Sequence, residues 1–152
     1  MNGYLRFSGG ALLALLMAVL SACASKVSIP AATRLSPAAL SGVEWVATVV
    51  NEVPYMQSPR PKLRWTGDNT ITGYGGCHSF AGRASIGAQN SLRIDALVPT
   101  GILCQAEPGA QEDLFFKALE LTQQARIEAG QLLLLAEDGR VLLRMSQAAG
   151  RP

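Results

Sequence analysis

The sequence predicts an α+β domain: a compact, strongly curled, barrel-like antiparallel sheet of about eight short strands with one helix. Three observations predict it. Short β-branched or aromatic runs recur between clusters of Gly, Pro, Asn and Asp. A single stretch, Gln111 to Thr122, has helical period. The last apolar runs flank an Asp-Gly pair.

Glu44 to Val50 (EWVATVV) is the first strand by its β-branched and aromatic content, with Trp45, Ala47 and Val49 on one face. Pro54, Pro59 and Pro61 interrupt regular structure between it and the next strand. Lys62 to Trp65 makes that second strand, Leu63 and Trp65 alternating against Lys62 and Arg64. Thr66-Gly67-Asp68-Asn69 is a turn, and Thr70 to Tyr74 a third strand. Gly82 to Ile86 and Leu92 to Leu97 are two more, joined by Gly87 to Ser91. In the helix, Leu114, Phe115, Ala118, Leu119, Leu121 and Thr122 form the apolar stripe, and Phe116 falls outside it. Pro108 and Gly109 are expected to stop the helix from starting earlier. Glu112 and Asp113 suit its positive end, and Asp113 with Lys117 is an (i, i+4) pair. Ala125 to Ala129 is a strand with a turn at Gly130-Gln131. Asp138-Gly139 then predicts a two-residue hairpin loop, with Leu132 opposite Met145 and Leu134 opposite Leu143 on one apolar face. Glu137 faces Arg140, and Leu133 faces Arg144 on the other side.

Lys and Arg total 13 against 11 Asp and Glu, a net charge of +2, so there is no electrostatic case for nucleic acid. An apolar share of 49% with 16% charged residues excludes global disorder.

The N-terminus reads as an address. Arg6 precedes the unbroken apolar run Ala11 to Leu20, and small residues Ser21 and Ala22 lead to Cys23. Ten apolar residues at about 1.5 Å each span roughly 15 Å, half a bilayer core, so the run is a signal peptide rather than a membrane span. The junction Leu20-Ser21-Ala22-Cys23 resembles a bacterial lipobox. That resemblance implies cleavage before Cys23 and lipidation of Cys23, with no Asp beside it to retain the protein from the outer membrane. The organisation expected is therefore a signal peptide over 1–22, a lipidated Cys and flexible tether over 23–41, a domain over 42–147 and a tail over 148–152.

The densest motif is Gly73-Tyr74-Gly75-Gly76-Cys77-His78-Ser79-Phe80-Ala81-Gly82. No Lys-Ser/Thr pair comes after it, so it reads as a tight strand crossing with Phe80 buried rather than a phosphate loop. The pattern Gly73, Gly76, Cys77, Phe80 and Gly82 resembles the G-x-x-G-C-N-x-F-x-G core of the META/HslJ-like family of bacterial envelope proteins, with His78 where the family has Asn. Thr100 and Cys104 resemble its T-x-x-x-C piece, and Glu112, Phe115 and Leu119 its E-x-x-F-x-x-x-L helix. The resemblance covers about Leu40 to Gln147. It implies a compact α+β domain, often on a lipoprotein, without established catalytic residues and in some members tied to stress or antibiotic tolerance.

Outside the cytoplasm Cys77 and Cys104 read as a disulfide, the family pairing, with two buried thiols as the alternative. Closing a loop of about 27 residues would contribute roughly 3.5 kcal/mol. One His and two Cys fall short of a four-ligand site, so no metal and no cofactor is expected. His78 reads as a satisfied polar residue, and helix-start electrostatics accounts for Glu112 and Asp113. Arg60, Lys62 and Arg64 read as a solvated strand face, with lipid headgroups as the sharper alternative. The expectation is a non-enzymatic outer-membrane lipoprotein, its domain facing the periplasm. Its partners would be the membrane, through the lipid anchor, and an unidentified envelope ligand or protein. A small-ligand carrier and an inhibitor or partner-binding module are the alternatives.

Overall fold

Alternation along short strands decides which side of this sheet is dry, and a few local departures from alternation decide its shape. The computed structural model describes residues 35–56, 58–67, 69–101 and 106–149. In chain order the elements are α1 (Pro37–Leu40), β1 (Glu44–Val50), β2 (Val53–Pro54), β3 (Lys62–Gly67), β4 (Thr70–Tyr74), β5 (Ser79–Ile86), β6 (Leu92–Pro99), α2 (Ala106–Glu120), β7 (Gln124–Glu128), β8 (Gln131–Leu135) and β9 (Val141–Gln147). Eight strands run in the order β6-β5-β4-β3-β1-β9-β8-β7, with β2 added to β1. All these pairings are antiparallel. The sheet curls into a half-barrel whose two ends approach each other: Leu92 N–H donates to the Gln123 carbonyl (2.9 Å), and Ser91 bridges Gln124. The fold class is the one the sequence predicts.

The concave side is filled by side chains. Trp45, Leu63, Trp65, Ile71, Phe80, Leu132, Leu134, Leu143 and Met145 from the strands pack with Phe115 and Leu119 of α2 in one buried cluster. Among the described residues no helix is long and apolar enough to cross a membrane.

Several expectations are corrected. Strict alternation in β1 would bury Val49, yet Val50 is the buried residue, because the register against β9 shifts between Ala47 and Val49. This is a bulge at Thr48, whose hydroxyl donates to the Arg144 carbonyl (3.0 Å). The closing hairpin has a three-residue loop rather than two. Ala136 N–H donates to the Arg140 carbonyl (2.9 Å), and Gly139 takes the positive φ of 83° that such a loop places at its last position. The extra loop residue would slip the register by one. A second bulge, between Leu134 and Leu135, restores Leu134 opposite Leu143 and Leu132 opposite Met145 as predicted. Arg140 pairs with Asp138 inside the loop (3.8 Å) rather than with Glu137.

The helix starts at Ala106, five residues before the expected start. Pro108 is tolerated there because first-turn N–H groups have no intrahelical acceptor to lose. Its buried face is Glu112, Phe115, Ala118 and Leu119, with Phe116 packed at the margin. Thr122, expected in the stripe, is buried just past the helix end and donates its hydroxyl to the Ala118 carbonyl (2.8 Å). Leu114 and Leu121, expected in the stripe, are exposed. Lys117 pairs with Glu120 (3.7 Å) rather than with Asp113. Leu35 to Ser41, expected in the tether, belong to the folded unit. Ser36 caps α1, Leu35 N–H donates to Asn90 Oδ1 (2.8 Å), and Leu35 and Leu40 are buried. Two leucines at that spacing outweigh the Ala-Ser-Pro composition around them, since each buried leucine contributes about 1.5–3 kcal/mol. At the other end, Ala148 N–H donates to the Glu44 carbonyl (2.7 Å), so the expected tail begins inside the fold. Cys23, with the leader and most of the tether, lies outside the described residues.

Gly73 of β4 sits opposite Phe80 of β5. A Cβ there would lie 2.1 Å from the Lys62 carbonyl oxygen and 2.6 Å from the Phe80 ring. Gly73→Ala is therefore expected to cost about 1–3 kcal/mol by overpacking, read as a lower urea midpoint at unchanged slope. An unchanged midpoint would show that the strands part there without cost.

Candidate functional site

The turn between β4 and β5, Gly75 to His78, is where the sequence motif becomes a site. Gly75 N–H donates to the His78 carbonyl (2.8 Å), and Tyr74 Oη donates to the Gly76 carbonyl (2.7 Å). Closing the turn in this way aims the Cys77 and His78 amides at α2. Glu112 meets them: its Oε1 accepts from Cys77 N–H (3.2 Å) and His78 N–H (2.7 Å). Its Oε2 lies 2.6 Å from His78 Nδ1, a contact that needs one hydrogen between the two atoms. The Glu112 side chain is 3% exposed and that of His78 22%. A carboxylate so deeply buried is tolerable only when its lone pairs are filled, and hydrogen bonds to an ionised acceptor are the strong kind.

Three neighbours hold Glu112 in place. Phe80 is edge-on to Phe115 (6.1 Å between centroids) and to Phe116 (5.2 Å), which seats α2 against β5. Gly75 leaves room for the carboxylate, since a Cβ there would stand 2.4 Å from Glu112 Oε1. Tyr55 packs beneath Gly76, which takes a φ of 129°. The hydroxyl of Tyr55 is pushed up by burial first and then by the Glu112 carboxylate and Tyr74.

The structure thus brings Gly73, Gly76, Cys77, His78 and Phe80 together with Glu112 and Phe115. Leu119 lies one turn further along α2, in the core. Gly82 gives space to Leu97 on β6, where a Cβ would stand 2.8 Å from Cδ2. Thr100 donates from both N–H (2.8 Å) and Oγ1 (3.1 Å) to the Ser79 carbonyl, tying the end of β6 to the start of β5. Cys104 lies outside the described residues. Glu112 is corrected from a helix-start charge to a buried clamp in the second turn of α2. Sequence reasoning missed Gly75, Tyr55 and Phe116. The glycine run signalled the first and an aromatic next to Phe115 the last, while nothing local marked Tyr55. Cys77, His78 and Glu112 each present a donor atom, and these atoms lie within 4.8 Å of one another.

Elsewhere, Lys62 (3.0 Å) and Arg64 (3.2 Å) converge on Glu44. They hold its carboxyl below the usual range, the Lys62 hydrogen bond being the largest cause, against an opposing push from burial. Two of the three basic residues singled out from sequence are thus engaged with a carboxylate. They line a cavity of about 660 Å³ with Gly42 and Gln147. A smaller apolar groove of about 170 Å³ is lined by Val50, Val53, Pro54, Tyr55, Gln111 and Leu114.

A sequence model of the META domain matches residues 38–149. Three solved structures share the fold. A protein from Burkholderia xenovorans determined by NMR superposes with a TM-score of 0.58 at 19% identity, covering 75% of this chain and 89% of that one. A second protein determined by NMR gives 0.58 at 20% identity, covering 74% and 94%. A DUF4847 family protein from Bacteroides vulgatus ATCC 8482 gives 0.52 at 13%, covering 70% and 93%. No curated protein sequence matches the chain.

Proposed function

The chain belongs to the META domain family, and on that premise we propose that it is an outer-membrane lipoprotein whose domain serves envelope integrity or stress tolerance by binding rather than catalysis. The observation that carries this reading is the Leu20-Ser21-Ala22-Cys23 junction directly after a ten-residue apolar run. Two or more acyl chains on Cys23 would anchor it stably, at about 0.8 kcal/mol per buried CH₂. The eleven residues Ala24 to Arg34 could extend at most about 40 Å, which would keep the anchored domain close to the membrane, on its periplasmic side in this reading. The Cys77–Cys104 bridge belongs to the same reading. It is supported by Cys77 being disulfide-bonded and by the oxidising compartment an exported chain would reach.

The test is intact-mass analysis of protein extracted from membranes of a bacterial host. The expected result is a chain beginning at Cys23, carrying acyl groups and lacking two hydrogens for the bridge, while Cys23→Ala stays unprocessed. An unacylated chain that starts elsewhere would overturn the proposal. Within the envelope, a protein-binding role is favoured over a ligand carrier. The concave side of the sheet is packed with side chains, whereas Val53, Met56 and Leu114 are exposed at or beside the apolar groove.

A further inference from the structure

We propose that the β4–β5 turn and α2 form a zinc site that opens when the Cys77 disulfide is reduced. Its ligands are Cys77 Sγ, His78 Nδ1 and Glu112 Oε2, with water in the fourth position. The inference rests on the clustering of these donors and on the Cys77 disulfide, and not on the lipid anchor. One donor atom from each of the three residues lies within 4.8 Å of the other two, and Nδ1 and Oε2 are 2.6 Å apart. Tetrahedral zinc bonds of about 2.0–2.3 Å set ligands roughly 3.3–3.6 Å apart. The imidazole and carboxylate must therefore part by somewhat under about 1 Å, and a thiol at the 4.8 Å limit must close by about 1.2–1.5 Å. Gly75 and Gly76, immediately before Cys77, are the residues that can absorb such an adjustment.

Glu112 is already arranged as a metal ligand with its own support. Oε1 is held by two backbone N–H groups, which leaves Oε2 as the atom turned to His78. The charges also match. One thiolate and one carboxylate neutralise a divalent ion in a pocket whose carboxylate is 3% exposed, and a sulfur, nitrogen and oxygen donor set suits zinc.

The chemistry balances with a dithiol reductant. It supplies two electrons and two protons, the protein S–S bond breaks to two thiols, and the reductant closes its own disulfide. Zinc then replaces the Cys77 thiol proton, which leaves to solvent. The neutral His78 ring carries its hydrogen on Nε2 instead of Nδ1. While Cys77 is disulfide-bonded it has no thiolate to give, and the hydrogen shared by His78 and Glu112 closes the site.

Zinc ion itself is the probe. It is titrated into the full chain carrying Cys23→Ser, either oxidised or reduced with a non-chelating phosphine, with near-ultraviolet circular dichroism following the fold. The reduced chain should bind one equivalent, at least a hundredfold more tightly than the oxidised chain. Cobalt in place of zinc should show a thiolate charge-transfer band that Cys77→Ser abolishes. His78→Ala and Glu112→Gln should each weaken zinc binding at least tenfold; the latter keeps an amide oxygen to accept the turn N–H groups. Equal binding by oxidised and reduced chains would overturn the proposal. So would unchanged affinity in His78→Ala, or a reduced chain that loses its tertiary signal and does not regain it with zinc.

Discussion

Glu112→Ala is expected to lower the unfolding free energy by about 3–5 kcal/mol, measured by urea denaturation of the purified protein. The carboxylate, itself buried, accepts from Cys77 N–H and His78 N–H and faces His78 Nδ1. Removing it leaves two turn amides without that acceptor, at about 1–3 kcal/mol for each unsatisfied group. It also vacates the space that Gly75 provides. Glu112→Gln should recover most of the loss, because an amide oxygen can still accept from the turn. The remaining deficit, about 1 kcal/mol, is the difference between charged and neutral acceptors. If the alanine variant lost less than about 1 kcal/mol, the turn would be held by something other than this clamp.

Leu134→Ala is expected to cost about 2–5 kcal/mol, while Arg144→Ala costs within about 1 kcal/mol. Leu134 lies opposite Leu143 in the β8–β9 pairing, and both are fully buried in the central cluster. Truncation leaves a cavity that neighbouring strands, fixed by their ladders, close only partly. Arg144 lies opposite Leu133 with its guanidinium 3.5 Å from Gln131 Oε1, a long contact at a half-buried position. The comparison discriminates because a one-residue slip would turn Leu134 outward and Arg144 inward. Denaturation midpoints in which the arginine variant suffers more than the leucine variant would refute the register.

The hairpin shows how the right answer can come through a compensation. Asp138-Gly139 suggested two loop residues and a register; the molecule uses three loop residues and a bulge, and the two irregularities cancel before Leu134. Similarly, the apolar period of α2 pointed to Leu114 and Leu121 along with Phe115 and Leu119, whereas the sheet receives only the latter two, with the carboxylate of Glu112 beside them. Period alone locates a stripe to within about one residue's rotation, 100° on a helix. Which edge of that stripe is dry depends on where the opposing surface stands. Here the Phe80 ring and the glycines of the β4–β5 turn supply that surface.

By itself the sequence determined the α+β class, the strand-rich order of elements, the faces of β3 and β8, and the glycine motif that marks the turn. These depend on interactions between near neighbours: alternation, turn chemistry and helical period act over a few residues. Only the tertiary structure decided that Glu112 clamps the turn 34 to 35 positions upstream, that Leu35 and Leu40 join the core, and that a bulge at Thr48 exchanges Val49 for Val50. The reason is burial. A carboxylate at a polar-looking helix position becomes a clamp only when two turn amides and an imidazole are brought against it by the seating of α2 in the curled sheet.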